Sequence, residues 1–305
     1  MNVRPILPAD FASLEQAGGY ARQYGRYVRR QLDKSYIVEP DCYVFEDSGA
    51  LFGGVCFCDD TEEEREILDF ALNDITPNAH ELLTRAVRQA VKPETNRISY
   101  NLYDDTVQFA DIQNLFCKAG FAVEQEKLRY LYEGPPPPAS GVLRFKSVTE
   151  TGEALFTQAV EAVTVGTLDR LDAADAARLG SRRAAEEHVE SLKSIDFNPD
   201  WWRLGYSRDE LVGLILPQRF SETLGCINYI GVLPEHRGHG YGRHLLAEGT
   251  RILAENGASK ICADIDIANL PVANALEHLG YVFQMKEVVL ANSSLSVSCH
   301  IKQPI

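Results

Sequence analysis

The chain reads as an α/β protein made of two successive copies of one unit, and three observations lead there. The order strand, helix, hairpin, strand, helix, strand, helix, strand occurs twice. Matched residues recur about 160 positions apart: Leu51-Phe52-Gly53 with Leu211-Val212-Gly213, and Ala119-Gly120-Phe121 with Leu279-Gly280-Tyr281. Leu82-Leu83 with Arg88 returns at a slightly larger offset as Leu245-Leu246 with Arg251. Between the copies, Gly134 is followed by Pro135 to Pro138, and four consecutive prolines continue neither a helix nor a central strand. The expected boundaries are therefore 1–134, a stiff linker at 135–141, and 142–305.

Each element has its own signal. Residues 3–7 form a first strand. Residues 10–18 and 20–34 have helical spacing, the second with Arg22, Arg26, Arg29 and Arg30 on about one face, a solvated basic stripe. Strands at 42–46 and 50–58 flank Asp47-Ser48-Gly49, a hairpin signal. A strand at 65–72 precedes a helix at 79–91, a strand at 97–102, a helix at 107–119 stopped by Gly120, and strand character at 121–132. Beyond the prolines come strand 142–145, helix 151–163 and a charged helix at 173–195. A hairpin pairs 202–206 with 211–216. An apolar strand at 227–233 leads through glycines into a helix stopped by Asn256-Gly257. Strand 261–267, helix 271–279, strand 281–290 and a closing strand at 295–301 complete the order.

Composition narrows the class. Apolar residues make up 45% and charged residues 24% of 305, as in a soluble globular protein. The net charge of −14 disfavours nucleic acid and anionic membrane as partners, so any phosphate must be held by local groups. The N-terminal residues lack the apolar core of a signal peptide, and the run at 211–216 is far too short to span a bilayer. Seven scattered cysteines without a CxxC pair read as reduced thiols of a cytoplasmic protein, with no metal site.

The chemistry gathers between the strand at 227–233 and the following helix. There the chain reads Arg237-Gly238-His239-Gly240-Tyr241-Gly242. A helix start presents N–H groups without intrahelical partners and a partial positive charge. Glycines let an anion approach that backbone closely, and Arg237 adds a cation. A P-loop fails, because Gly242 is followed by Arg243-His244 in place of Lys-Ser/Thr. A dinucleotide fingerprint places its third glycine one residue too early, although Asp264 stands near the ribose-binding distance. Acyl-coenzyme A is the third reading.

That third reading rests on a resemblance. Arg237 to Gly242 fits R-x-x-G-x-G and, with the lead-in Ile230-Gly231-Val232-Leu233-Pro234-Glu235, resembles the coenzyme A loop of the GNAT acetyltransferase superfamily. Asn269-Leu270-Pro271, a helix and Leu279-Gly280-Tyr281 resemble a second family segment; Asn269 is either a plain helix cap or a cofactor contact. The resemblance implies two tandem GNAT-like domains, each a mixed central sheet flanked by helices. The first copy has Asn73-Asp74-Ile75-Thr76-Pro77-Asn78 where the second has its glycine loop, so acetyl-CoA binding is expected in the second copy only.

The implied reaction is transfer of an acetyl group from acetyl-CoA to the amine of a small molecule or peptide. Backbone groups at Ile230, Gly231 and Val232 would face the thioester. Arg237, Gly238, His239, Gly240, Tyr241 and Gly242 would hold the pyrophosphate, and Asn269 the pantetheine arm. The family's usual tyrosine acid falls on Leu276, and its usual strand carboxylate is missing, leaving Cys226, Asn228 and Tyr229. The base then falls to Asp264 or Asp266, which share a face of the next strand, or to a water relay. Tyr229 either hydrogen-bonds the thiolate or packs. A non-catalytic acyl-CoA-binding module is the alternative.

Overall fold

The computed structural model describes residues 1–139 and 141–293, so the strand expected at 295–301 lies outside the described residues. Two compact units emerge: Met1–Glu124 together with the chain from Glu287, and Gln125–Lys286.

The first unit contains β1 (Asn2–Pro5), α1 (Asp10–Ala17), α2 (Gly19–Asp33), β2 (Cys42–Asp47), β3 (Ala50–Asp59), β4 (Glu64–Leu72), α3 (Ala79–Ala90), β5 (Arg97–Tyr103) and α4 (Phe109–Lys118). The β2–β3 hairpin turns at Ser48 (φ 50°) and Gly49 (φ 84°), the double left-handed geometry that matches strand twist. Helix α2 buries Ala21, Tyr24 and Val28 against Val44 and Cys56 of the sheet. Its arginines lie outward: Arg26 pairs with Glu15 and Arg29 sits over Phe11. On the opposite sheet face Leu82, Leu83, Leu115 and Phe116 of α3 and α4 meet Phe70 and Ile98.

The second unit takes β6 (Ala122–Tyr132) from Gln125 onward, then β7 (Arg144–Ser147), α5 (Val148–Thr151), α6 (Glu153–Thr164), α7 (Arg170–Leu179), α8 (Ser181–Lys193), β8 (Arg203–Ser207), β9 (Glu210–Arg219), β10 (Leu224–Val232), α9 (Tyr241–Glu255), β11 (Lys260–Asp266), α10 (Leu270–Leu279) and the start of β12 (Val282–Asn292). The single helix expected at 173–195 is two helices. Gly180, at φ 84°, breaks it, a conformation that costs glycine nothing. Gly152 at φ 82° likewise separates α5 from α6.

Both sheets have the same topology. In the second unit the order is β6-β11-β10-β9-β8-β7, antiparallel except for parallel β10–β11. In the first it is β12-β5-β4-β3-β2-β1, antiparallel except for parallel β4–β5. The terminal strands correct the expected boundaries at 134 and 142. Residues 127–132 pair with β11 in the second unit, and Glu287–Asn292 pair with β5 in the first. The two strands follow equivalent Gly-aromatic steps, so alternation along the chain cannot say which sheet each joins.

The second unit also has two cores. Leu245, Leu246 and Leu253 of α9, with Ala273 and Leu276 of α10, pack on one sheet face. Phe156, Val160 and Val163 of α6, with Val189 and Leu192 of α8, pack on the other around Trp202. Of the adjacent Trp201 and Trp202, Trp202 is buried and Trp201 lies under Arg219. Among the described residues no helix is long and apolar enough to cross a membrane.

Candidate active site

Strand β10 carries a bulge that positions the site. Its register with β9 shifts between Ile227 and Tyr229, leaving Asn228 as the extra residue, whose amide donates to Gln218 Oε1. A bulge re-aims the side chains beyond it. Tyr229 therefore packs on the α6–α8 side, while Ile230 and Val232 pack toward α9. The β10–β11 ladder covers only Leu224–Cys226 with Lys260–Cys262. Past those residues the strands part, and alternate backbone groups of β10 face the gap.

A cleft of about 670 Å³ opens along that gap, lined by α9 and α10 on one side and by Val163, Gly166, Thr167 and Leu168 at and beyond the end of α6 on the other. Ile230, Gly231 and Val232 form one wall; Asn269, Val272 and Ala275 form the other; Arg237, Gly238, Gly240, Tyr241 and Gly242 close one end. This brings together nearly all the residues expected around a cofactor. Gly238 and Gly240 both have φ 78°, where a side chain is strained. Gly240 caps α9 and no side chain caps its first turn, so helix N–H groups face the cleft. The chemistry suits an anion there, and a Cβ at these glycines would intrude on it. His239 does not line the cleft; its Nδ1 lies 3.2 Å from His236 O and its ring stacks on Tyr241.

Arg237 lines the cleft, yet its guanidinium has another task. It donates to the carbonyls of Val232 (3.1 Å), Gly166 (3.0 Å), Val163 (2.8 Å) and Val165 (2.8 Å). Three of those carbonyls lie at the end of α6 or just beyond it, where helix carbonyls lack partners. Arg237 therefore clamps the α6 terminus to the loop, and Arg243, beside Gly240, is the additional cation lining the cleft. Asn269 occupies the N-cap position of α10 but makes no side-chain cap bond, so its amide is available to the cleft.

The candidate carboxylates on β11 sit elsewhere. Asp264 is held by Arg129 in a bidentate pair at 2.8 and 2.7 Å. Asp266 is buried and accepts from Ala268 N (2.8 Å), Gln125 Nε2 (3.2 Å) and Arg170 N (3.3 Å), tying the loop before α10 to the start of α7. Neither lines the cleft. Leu276 is fully buried in the core, whereas His278, two residues on, lines the cleft.

Sequence reasoning missed a second cluster on the other face. Tyr229 Oη lies 3.1 Å from Thr164 Oγ1, and its ring stands 4.6 Å from that of His188. The carboxyl of Asp172 and this hydroxyl influence each other's ionisation. Burial, then the nearby Asp169 charge, pushes Asp172 up to about 7, and the Tyr229 hydroxyl opposes that rise. Burial drives the Tyr229 phenol up and the His188 imidazole down. His188, between exposed glutamates on α8, is turned inward, its Nε2 buried without a hydrogen-bond partner among the described residues. Only the break at Gly180 would have signalled that a separate helix α8 brings His188 onto Tyr229 of β10.

Residues 172–281 match the family described as Acetyltransferase (GNAT) family. No protein of curated function matches the chain by sequence. Three solved structures have the same fold over most of their length. A GCN5-related N-acetyltransferase from Sphaerobacter thermophilus is 15% identical with TM-score 0.60, covering 95% of this chain and 94% of that one. A GCN5-related N-acetyltransferase from Kribbella flavida is 14% identical with TM-score 0.53, covering 88% and 94%. A tandem GNAT protein from the clavulanic acid biosynthesis pathway, without AcCoA, is 12% identical with TM-score 0.51, covering 95% and 97%. At these identities the likeness is one of fold.

Proposed function

We propose that the second unit, in which residues 172–281 match the Acetyltransferase (GNAT) family, transfers an acetyl group from acetyl-CoA to an amine. The observation that supports this most is the cleft where parted strands, left-handed glycines and an uncapped helix start converge. The N–H groups from Gly238 to Gly242 would take the pyrophosphate, with Arg243 as the added cation. Asn269 would hold the pantetheine amides. Backbone N–H groups near Ile230 to Val232 would polarise the thioester carbonyl. Acetyl-CoA itself supplies the activated acyl group.

The first unit lacks this cradle, since Asp74, Ile75 and Pro77 stand at the corresponding turn. It serves as a structural partner, and acetyl-CoA binds once per chain. The acceptor is a small-molecule or peptide amine, because the negative chain favours neutral or cationic partners over nucleic acid. Six described cysteines are free thiols, which suits a reducing, cytoplasmic setting. Calorimetry with acetyl-CoA, followed by thiol release across a panel of primary amines, tests the assignment. A stoichiometry of two, or no binding, defeats it.

A further inference from the structure

We propose that Cys226 and Cys262 are a redox-active thiol pair, closing to a disulfide across β10 and β11 under hydrogen peroxide and reopening under a dithiol. Two observations carry it: the thiols share one rung of the sheet, and solvent reaches one of them.

Cys226 of β10 and Cys262 of β11 are direct partners in the parallel ladder. Ile227 on one strand, with Ile261 and Ala263 on the other, packs toward α9. Both cysteines, one step along, therefore project from the opposite face. The Cys262 Sγ leans across the rung and lies 3.5 Å from the carbonyl oxygen of Gly225, the residue bonded to Cys226. Adjacent strands lie about 4.7–4.9 Å apart, inside the Cα separation of about 4.4–6.8 Å that a disulfide spans. The bond also wants its Cβ atoms within about 3.5–4.5 Å, so closure draws the strands slightly together. This rung can yield, because it is the last before the strands part. A bond closed against that pull is readily reduced, as suits a reducing setting where disulfides are transient. Among the described residues no third ligand joins the thiols to hold a metal.

Access assigns the roles. Cys226 is buried and Cys262 half-buried. The Cys226 thiol holds that of Cys262 below its ordinary range, while Cys262 and burial drive Cys226 up. Cys262 is thus the thiol that meets the oxidant, and Cys226 the one that resolves. The Cys262 thiolate attacks one peroxide oxygen and becomes a sulfenic acid as the O–O bond breaks. The hydroxide released takes the proton that Cys262 gave up on ionising. The Cys226 sulfur then forms the S–S bond, the S–O bond breaks, and the departing hydroxide leaves as water with the Cys226 proton. Two thiols are oxidised by two electrons, and one peroxide is reduced to two waters.

The first unit holds a control with the same pairing. Cys42 and Cys56 are direct partners on β2 and β3, but both are fully buried. Burial pushes Cys42 up to about 12 and Cys56 well above the usual thiol range. Pairing without access should leave these two reduced under the same oxidant.

Closure reaches the cleft through β10. A few residues beyond Cys226 the strand becomes the wall Ile230 to Val232, and drawing in the last rung narrows the gap beside it. On the acetyl-transfer reading, the disulfide form should bind acetyl-CoA more weakly than the dithiol form.

The test treats the full chain with hydrogen peroxide, alkylates the remaining thiols and maps tryptic peptides. Cleavage at Arg237 and Lys260 puts Cys226 and Cys262 on separate peptides, so the disulfide appears as a cross-linked species that dithiothreitol removes. Cys262→Ser should abolish it, and Cys226→Ser should stop the reaction at a sulfenic acid that dimedone traps. Two alkylated thiols in the treated wild type, or oxidation of Cys42 and Cys56 at least as fast, overturns the proposal. Calorimetry on the same samples reads acetyl-CoA. Peroxide should weaken binding to the wild type and leave Cys262→Ser unaffected. Equal affinity in the dithiol and disulfide forms overturns the link to the cleft, whereas a dithiol form that binds no acetyl-CoA defeats the underlying reading.

Discussion

Gly231→Ala tests how tightly the acyl wall is fitted against α6. The backbone at Gly231 is extended, so alanine meets no conformational strain, and the effect is purely one of packing. A Cβ there would lie 2.6 Å from both Cβ and Cγ2 of Val163 and 3.0 Å from Cγ1. Carbon contacts settle at about 3.5–4.0 Å, so the strand and α6 must separate by roughly 1 Å. Overpacking of this kind costs about 1–3 kcal/mol. For a unit of this size that lowers the melting temperature by about 2–4 °C per kcal/mol. Val163 and Gly231 both line the cleft, so the same shift should weaken acetyl-CoA binding. Thermal unfolding and calorimetry on the same samples read both effects. Val163→Ala removes the Cγ contacts but keeps the Cβ contact, so in that background Gly231→Ala should cost less. Strict additivity of the two changes, with unaltered cofactor affinity, would refute the argument.

Gly240→Glu puts a side chain at φ 78° and a negative charge at the helix start, and should weaken acetyl-CoA binding by about 100-fold or more, near 2.7 kcal/mol. Calorimetry with circular dichroism as the fold control checks this; unchanged affinity would show that the anion sits elsewhere. Arg237→Ala frees four backbone carbonyls, three of them solvent-facing, so the stability cost should stay near 1–2 kcal/mol while amides from 164 to 168 exchange faster with deuterium. Protection equal to wild type there would mean that the clamp is unimportant. In the first unit, burial pushes Asp69 up to about 6. Its folded pKa exceeds its unfolded value, so its contribution to stability is present below about 4 and lost as pH rises through about 6. Asp69→Asn should remove that decline and be the more stable protein at pH 7, by about 1–3 kcal/mol. Urea titrations at pH 4 and pH 7 decide it, and equal pH dependence in both proteins contradicts the reading.

Local chemistry is the part of this protein written in consecutive residues. The glycine loop from Gly238 to Gly242, the helix stop at Gly257 and the hairpin at Ser48-Gly49 follow from φ requirements that only a few residue types meet. The doubled strand–helix order followed for the same reason, since apolar periodicity is a property of single segments. Which sheet each terminal strand joins was settled by packing, because β6 and β12 have the same alternation and either could complete either sheet. The face of Tyr229 depended on one extra residue, Asn228, which pairing with β9 forces out of register. Arg237 looked like a phosphate ligand from its neighbours in sequence, and only the end of α6, some seventy residues away, gives its guanidinium other partners. Asp172 had no motif around it at all. Its raised carboxyl reflects loss of solvent and the charge of Asp169, conditions that exist only once the fold has set the start of α7 in place.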